Sequence, residues 1–205
     1  MPMLDLGPAA DEVIRLLDGV RDDQLDRPTP CADTPVSALL DHLMGLSLAF
    51  TWAARKTPPD VDRGTVPGPG RATAEHLDPQ WRAVLPARLR ELVSAWRDPA
   101  AWTGATEAGG VRMPAEQLGV VALDEIVLHG WDLARATDQR FGCDAASTAA
   151  VLAFTTAAAR PENAPRRGGL FGPVVPVPDD APDLDRAVGL AGRDPAWSAV
   201  SAGGR

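Results

Sequence analysis

Apolar residues in this chain recur at intervals of three and four, a spacing that commits most of it to packed helices. The segment AADEVIRLLDGV sets Val13, Leu16, Leu17 and Val20 on one helical face. Strand signals are scarce, with no Tyr and few β-branched runs. After a loop holding Pro28 and Pro30, Thr34-Pro35 supplies an N-cap followed by proline at the first helical position. The helix it opens carries Val36, Leu39, Leu40, Leu43, Leu46 and Phe50 on one stripe and is expected to run to about Lys56. Residues 57–72, TPPDVDRGTVPGPGRA, are dense in Pro and Gly and predict a loop.

A third helix is expected from near Asp78-Pro79, with Trp81, Leu85, Leu89, Leu92 and Trp96 inward. Pro86 predicts a kink in it, or a later start. A turn at Gly109-Gly110 leads to Pro114, which opens a fourth helix, and an alanine-rich fifth follows Asp144 and stops before Pro161. These elements predict an all-α chain, an up-and-down four-helix bundle with a proline-rich C-terminal extension and a short terminal helix. The bundle is assigned to residues 1–160. The extension, 161–205, holds LFGPVVPVPDDAPDLDR and a helix over Leu184–Leu190, and is expected to strap across the bundle.

A hydrophobic content of 45% over 205 residues suffices for a full core. The net charge of -8 disfavours a nucleic-acid backbone or an anionic membrane surface as partner. The opening MPMLDLGPAADE has neither a basic nor an apolar signal region, and no run approaches the roughly 18 apolar residues of a membrane span. Cys31 and Cys143 have no metal or redox spacing. The expectation is a soluble, cytoplasmic protein with reduced thiols, acting on a small molecule.

Chemistry concentrates in the fourth helix, in LDEIVLHGWDLARA, residues 123–136. At 100° per residue from Leu118, Glu125 falls at roughly 340°, His129 at roughly 20°, Asp132 at roughly 320° and Ala136 back at zero. Glu125 and His129, four apart, stack on one side, where a carboxylate oxygen and an imidazole nitrogen can converge on a metal ion. Such pairs also occur on solvated helix surfaces. The face with Val120, Leu123 and Val127 has core spacing of its own, while Gln117, Asp124 and Arg135 make a conventional solvent arc. His42 lies at the edge of the second helix's apolar stripe, where a bundle places inward ligands, or where a core-edge histidine bonds a carbonyl. His76 sits in a polar context before the third helix and reads as exposed. Cys31 is a thiol near a helix N-terminus, or a small buried filler. Asp132 is the candidate catalytic residue, either orienting a ligand or holding a substrate cation, with an ion pair to Arg135 or Arg82 as the plainer role.

The pieces DQLDRPTPC, LLDHL around His42, DEIVLHGWDLARATDQ and FGPVVPVPDDAPDLDRAVGLAGRDPAW together resemble the DinB-like, mycothiol-dependent maleylpyruvate isomerase superfamily. More closely, they look like an actinobacterial subgroup known mainly as metal-binding proteins. The resemblance implies a divalent metal, zinc first with nickel, iron or manganese as alternatives, held by His42, Glu125 and His129. It also implies mycothiol as a thiol cosubstrate, and a homodimer as a family habit. The subgroup usually has a Trp where CADTPV has Thr34, which predicts a reshaped pocket mouth.

Two histidines and a carboxylate leave coordination positions open, the mark of a catalytic metal site. Following the relatives, the expected activity is a thiol-dependent isomerase or S-transferase acting on a small electrophile through a metal-bound thiolate or water. The same ligands also describe a pathway-specific lyase, hydrolase or Fe(II) oxygenase, and a non-catalytic metal-binding protein uses them as well.

Overall fold

The computed structural model describes residues 3–57, 72–167 and 170–199. The loop predicted over 57–72 lies almost wholly outside them.

The described chain is mainly helical. Helix α1 (Gly7–Asp18) has Pro8 in its first turn and buries Val13, Leu16 and Leu17. Helix α2 (Val36–Arg55) begins one residue after the expected proline and buries all six residues of its predicted stripe. Helix α3 (Trp81–Trp96) runs through Pro86, so the proline does not delay its start. Helix α4 (Ala115–Ala136) follows Pro114. Helix α5 (Ala145–Ala158) is capped by Asp144, whose carboxylate accepts from the Ala146 and Ser147 amides at 3.0 Å each. A single turn, α6 (Ala164–Arg167), and α7 (Asp183–Leu190) complete the helices.

Helices α1 to α4 share one core. α2 packs on α3 and α4, and α1 packs on α3 and α4, so the four close a ring. Leu16, Leu39, Leu40, Leu43, Leu85, Leu89, Leu92, Trp96, Leu118, Leu123 and Ile126 fill it, all essentially inaccessible. Among the described residues only α2 is long and apolar enough to cross a membrane, with a mean hydropathy of 1.3. Yet 78% of that window is buried inside the fold, as a central helix requires.

The sequence reading missed a hairpin. Strands β1 (Ala105–Ala108) and β2 (Val111–Pro114) pair antiparallel, with Ala105 opposite Pro114 and Ala108 opposite Val111. Gly109 and Gly110, at φ 58° and 83°, form the two-residue connection that matches strand twist and needs positive φ at both positions. Thr106 pins the hairpin by donating its hydroxyl to the Ala53 carbonyl at 2.6 Å.

The expected solvent arc on α4 is also corrected. Of its three residues only Gln117 is exposed, while Asp124 is buried and Arg135 half-buried. A second layer covers that arc. α5 packs on α4, α7 packs on α5, and Arg135 donates to the carbonyls of Pro195 (3.0 Å) and Trp197 (2.7 Å) beyond α7. That layer makes α4 an interior helix.

Close approach to α4 decides one glycine. A Cβ on Gly119 would sit 2.5 Å from the Trp102 ring and 2.9 Å from the Trp96 ring. Alanine gains roughly 1 kcal/mol in helix propensity, but overpacking the two indoles, which meet edge to face, costs about 1–3 kcal/mol. Gly119→Ala is therefore expected to lower stability by a net of up to about 2 kcal/mol, read from the urea midpoint.

Candidate functional site

Packing of α2 against α4 brings His42 from one helix onto Glu125 and His129 of the other. His42 Nε2 lies 3.3 Å from Glu125 Oε2, and His129 Nε2 lies 3.0 Å from the same oxygen. The imidazole rings meet edge to face, with centroids 4.7 Å apart. Three candidate donors, His42, Glu125 and His129, thus lie within 4.8 Å of one another. Around a tetrahedral zinc with bonds of about 2.1 Å, neighbouring donors stand about 3.4 Å apart, so this donor set suits such an ion in type and spacing. The site is partly open, since the side chains of His42 and Glu125 are 25% and 22% exposed and that of His129 is 11% exposed.

The far side of His129 is closed. Its Nδ1 lies 3.1 Å from Asp132 Oδ2, one turn on, and Asp132 is completely buried. The partner of Asp132 is neither Arg135 nor Arg82. Arg82 bonds Asp22 (2.6 Å) and the Val20 carbonyl (2.8 Å), and Arg135 bonds the C-terminal carbonyls. The ion pair comes instead from Arg193, beyond α7, whose Nη2 is 2.9 Å from Oδ2 and whose Nε is 3.3 Å from Oδ1. Sequence reading passed over Arg193, although GRDPAW stood in the resembling tail.

Cys31 is half-buried on this side of His129. Its thiol lies within 4.8 Å of donor atoms of both His129 and Asp132, and the Thr34 hydroxyl reaches Cys31 Sγ at 3.7 Å. Thr34 also donates to the Ala32 carbonyl and receives Thr29 on its own carbonyl, so the residue in place of Trp tightens the turn before α2. His76 is exposed in a single turn, Ala74–His76, and takes no part in the site. Trp131 is buried, with the Arg135 guanidinium 5.6 Å from its ring.

The electrostatics follow from that chain of contacts. Burial pulls His129 down, but hydrogen bonds with Asp132 and Glu125, and their charges, outweigh it and lift the imidazole to about 10. Burial disfavours the Glu125 carboxylate, yet hydrogen bonds with His129 and His42 hold it well below the ordinary range. Burial likewise opposes ionised Asp132, and the charge of Arg193 with the His129 hydrogen bond keeps it lowered. Asp124 goes the other way. Burial and the neighbouring Glu125 charge raise it well above the usual range, and its Oδ1 has no hydrogen-bond partner.

Fold and cluster define a mainly helical protein with a two-histidine, one-carboxylate group between two central helices. The chain belongs to the family of mycothiol maleylpyruvate isomerase N-terminal domains, DinB-like proteins, which it matches over residues 6–134. It is also similar to two proteins of Mycobacterium tuberculosis, uncharacterized protein Rv0738 of strain H37Rv and uncharacterized protein MT0763 of strain CDC 1551 / Oshkosh. Each is 26% identical over 194 residues, covering 94% of this chain and 97% of the relative. No solved structure matches the chain.

The raised and lowered groups give opposite pH signatures in metal-free protein. His129, raised above 6.5, contributes stability that is complete below about pH 6.5 and lost as pH climbs through about 10. Glu125, lowered from 4.5, contributes stability present above that value and lost as pH falls below it. Asp132→Asn removes one of the charges that lift His129. Its urea midpoint is expected to fall less steeply than the wild type's between pH 6.5 and 10.

Proposed function

We propose that this chain is a metal-dependent enzyme of the DinB-like type, built on an up-and-down four-helix bundle. His42, Glu125 and His129 are the ligands, zinc the first candidate metal, and the reaction a thiol-dependent isomerisation or S-transfer on a small electrophile. The observation that carries this reading is the convergence of two imidazole nitrogens, from two helices, on one Glu125 oxygen at 3.3 and 3.0 Å. The family's own description supplies mycothiol as the thiol and maleylpyruvate as the model electrophile.

A divalent ion at such a three-ligand site supplies Lewis acidity, lowering the pKa of a thiol or water and polarising a carbonyl. The chain's residues do the rest. Asp132 accepts the Nδ1 proton of His129 and so leaves Nε2 as the ligating nitrogen. Both Asp132 oxygens are engaged and none of its surface is exposed, which favours orienting a ligand over holding a substrate cation. Nε2 of His129 gives up its proton when it ligates, so metal uptake competes with acid. The exposed edges of His42 and Glu125 mark the side from which a small molecule enters.

Elemental analysis of untagged protein tests the centre. Wild type is expected to hold about one metal per chain, and His42→Ala and His129→Ala to hold none while keeping their helical circular dichroism. A wild type that stays metal-free after reconstitution with zinc, nickel, iron or manganese would sink the reading. With the metal in place, consumption of maleylpyruvate that requires mycothiol is the result expected of the thiol chemistry. Turnover indifferent to thiol points away from it.

A further inference from the structure

His129 belongs to two candidate donor sets. One is His42, Glu125 and His129; the other is Cys31, His129 and Asp132, whose donor atoms also lie within 4.8 Å of one another. By ligand chemistry the second is a good zinc site, since thiolate, imidazole and carboxylate are all zinc ligands. Cys31 is half-buried and within reach of solvent. Nothing about the donors alone sends a metal to the first set.

Arg193 breaks the tie. Its guanidinium grips both oxygens of Asp132, at 2.9 and 3.3 Å, and is itself 7% exposed. Its Nη1 donates to the Ala191 carbonyl at 3.2 Å, and its backbone amide bonds the Val188 carbonyl at 3.1 Å, so the side chain is held from both ends. A cation fixed against Asp132 repels a second cation there and occupies the lone pairs a metal would need. It also holds Asp132 against Nδ1, leaving Nε2 for Glu125 and His42.

We infer that Arg193 is a positioning residue of the metal centre, committing His129 to the His42–Glu125 side and denying a metal the Cys31–His129–Asp132 set. This rests on the reading of His42, Glu125 and His129 as metal ligands and extends it to a residue outside the matched span of 6–134.

Cobalt(II), titrated into the metal-free full-length chain, reads both halves. Thiolate ligation of cobalt adds an intense near-ultraviolet charge-transfer band that nitrogen and oxygen ligands lack. Wild type and Cys31→Ser are expected to bind about one cobalt without that band. Arg193→Gln is expected to bind about 10- to 100-fold more weakly and to gain the band, which disappears in Arg193→Gln/Cys31→Ser. Arg193→Lys, which keeps the cation, is expected to stay band-free. If glutamine is not tolerated in the fold, Arg193→Met removes the charge with an apolar stem of similar length. Arg193→Gln with wild-type affinity, or with weaker binding and an unchanged spectrum, overturns the inference alone. A band already present in wild type overturns it too. A wild type that takes up no cobalt overturns the metal centre and this inference together.

Discussion

An ionised carboxylate taken wholly out of water costs several kcal/mol unless neighbours replace the lost hydration. Asp132 has no exposed surface at all, and its replacements come from two directions, Arg193 on one side and His129 on the other. His129 in turn faces Glu125, and Glu125 faces His42. The contacts Arg193–Asp132–His129–Glu125–His42 therefore form one line of alternating partners crossing three stretches of chain. Each link fixes how an element is oriented. α4 must show Glu125 and His129 to α2 while showing Asp132 to the segment beyond α7. That double obligation explains why α4 is buried nearly all round, and why its polar residues lie inside.

Much of this arrangement is legible in the sequence, and the boundary is physical. The stripes on α1, α2 and α3 are buried residue for residue, because periodicity reports which face is apolar. Glu125 above His129 follows from the turn of a helix, whereas the arrival of His42 depends on which helices pack together. The resemblance supplied that step. Periodicity does not report which faces a further layer will cover. Asp124 and Arg135 read as a solvent arc because nothing local announces α5, α7 and the C-terminal carbonyls above them. Arg193, sixty-one positions from its partner, has no periodic relation to it. The hairpin was missed for another reason: four-residue strands are too short to establish alternation, and the Gly-Gly between them was the stronger signal.

The family match ends at residue 134, inside α4. It contains His42, Glu125, His129 and Asp132, but not the counter-charge that lets Asp132 ionise. In this chain, then, the candidate donors and the counter-charge of Asp132 come from different parts. The Mycobacterium tuberculosis relatives match over 94% of the chain, so their likeness includes the C-terminal part. An excised 6–134 segment would lose Arg193 and leave Asp132 without its cation.

The line of charges also bears on what the open position prefers. In metal-free protein, Arg193 and protonated His129 are the cations, while Asp132 and Glu125 are the anions, so the four groups balance. At the proposed metal centre, a divalent ion would displace the single proton of His129 Nε2 and would leave one net positive charge in a site that is largely out of water. An anion entering from the exposed edge of His42 and Glu125 restores the balance, and a neutral ligand does not. A thiolate or hydroxide meets that condition, as does the carboxylate of a small acid. With the proposed metal in place, that balance would favour an anionic nucleophile or an acidic electrophile over a cationic substrate, with Arg193 contributing its charge from beyond α7.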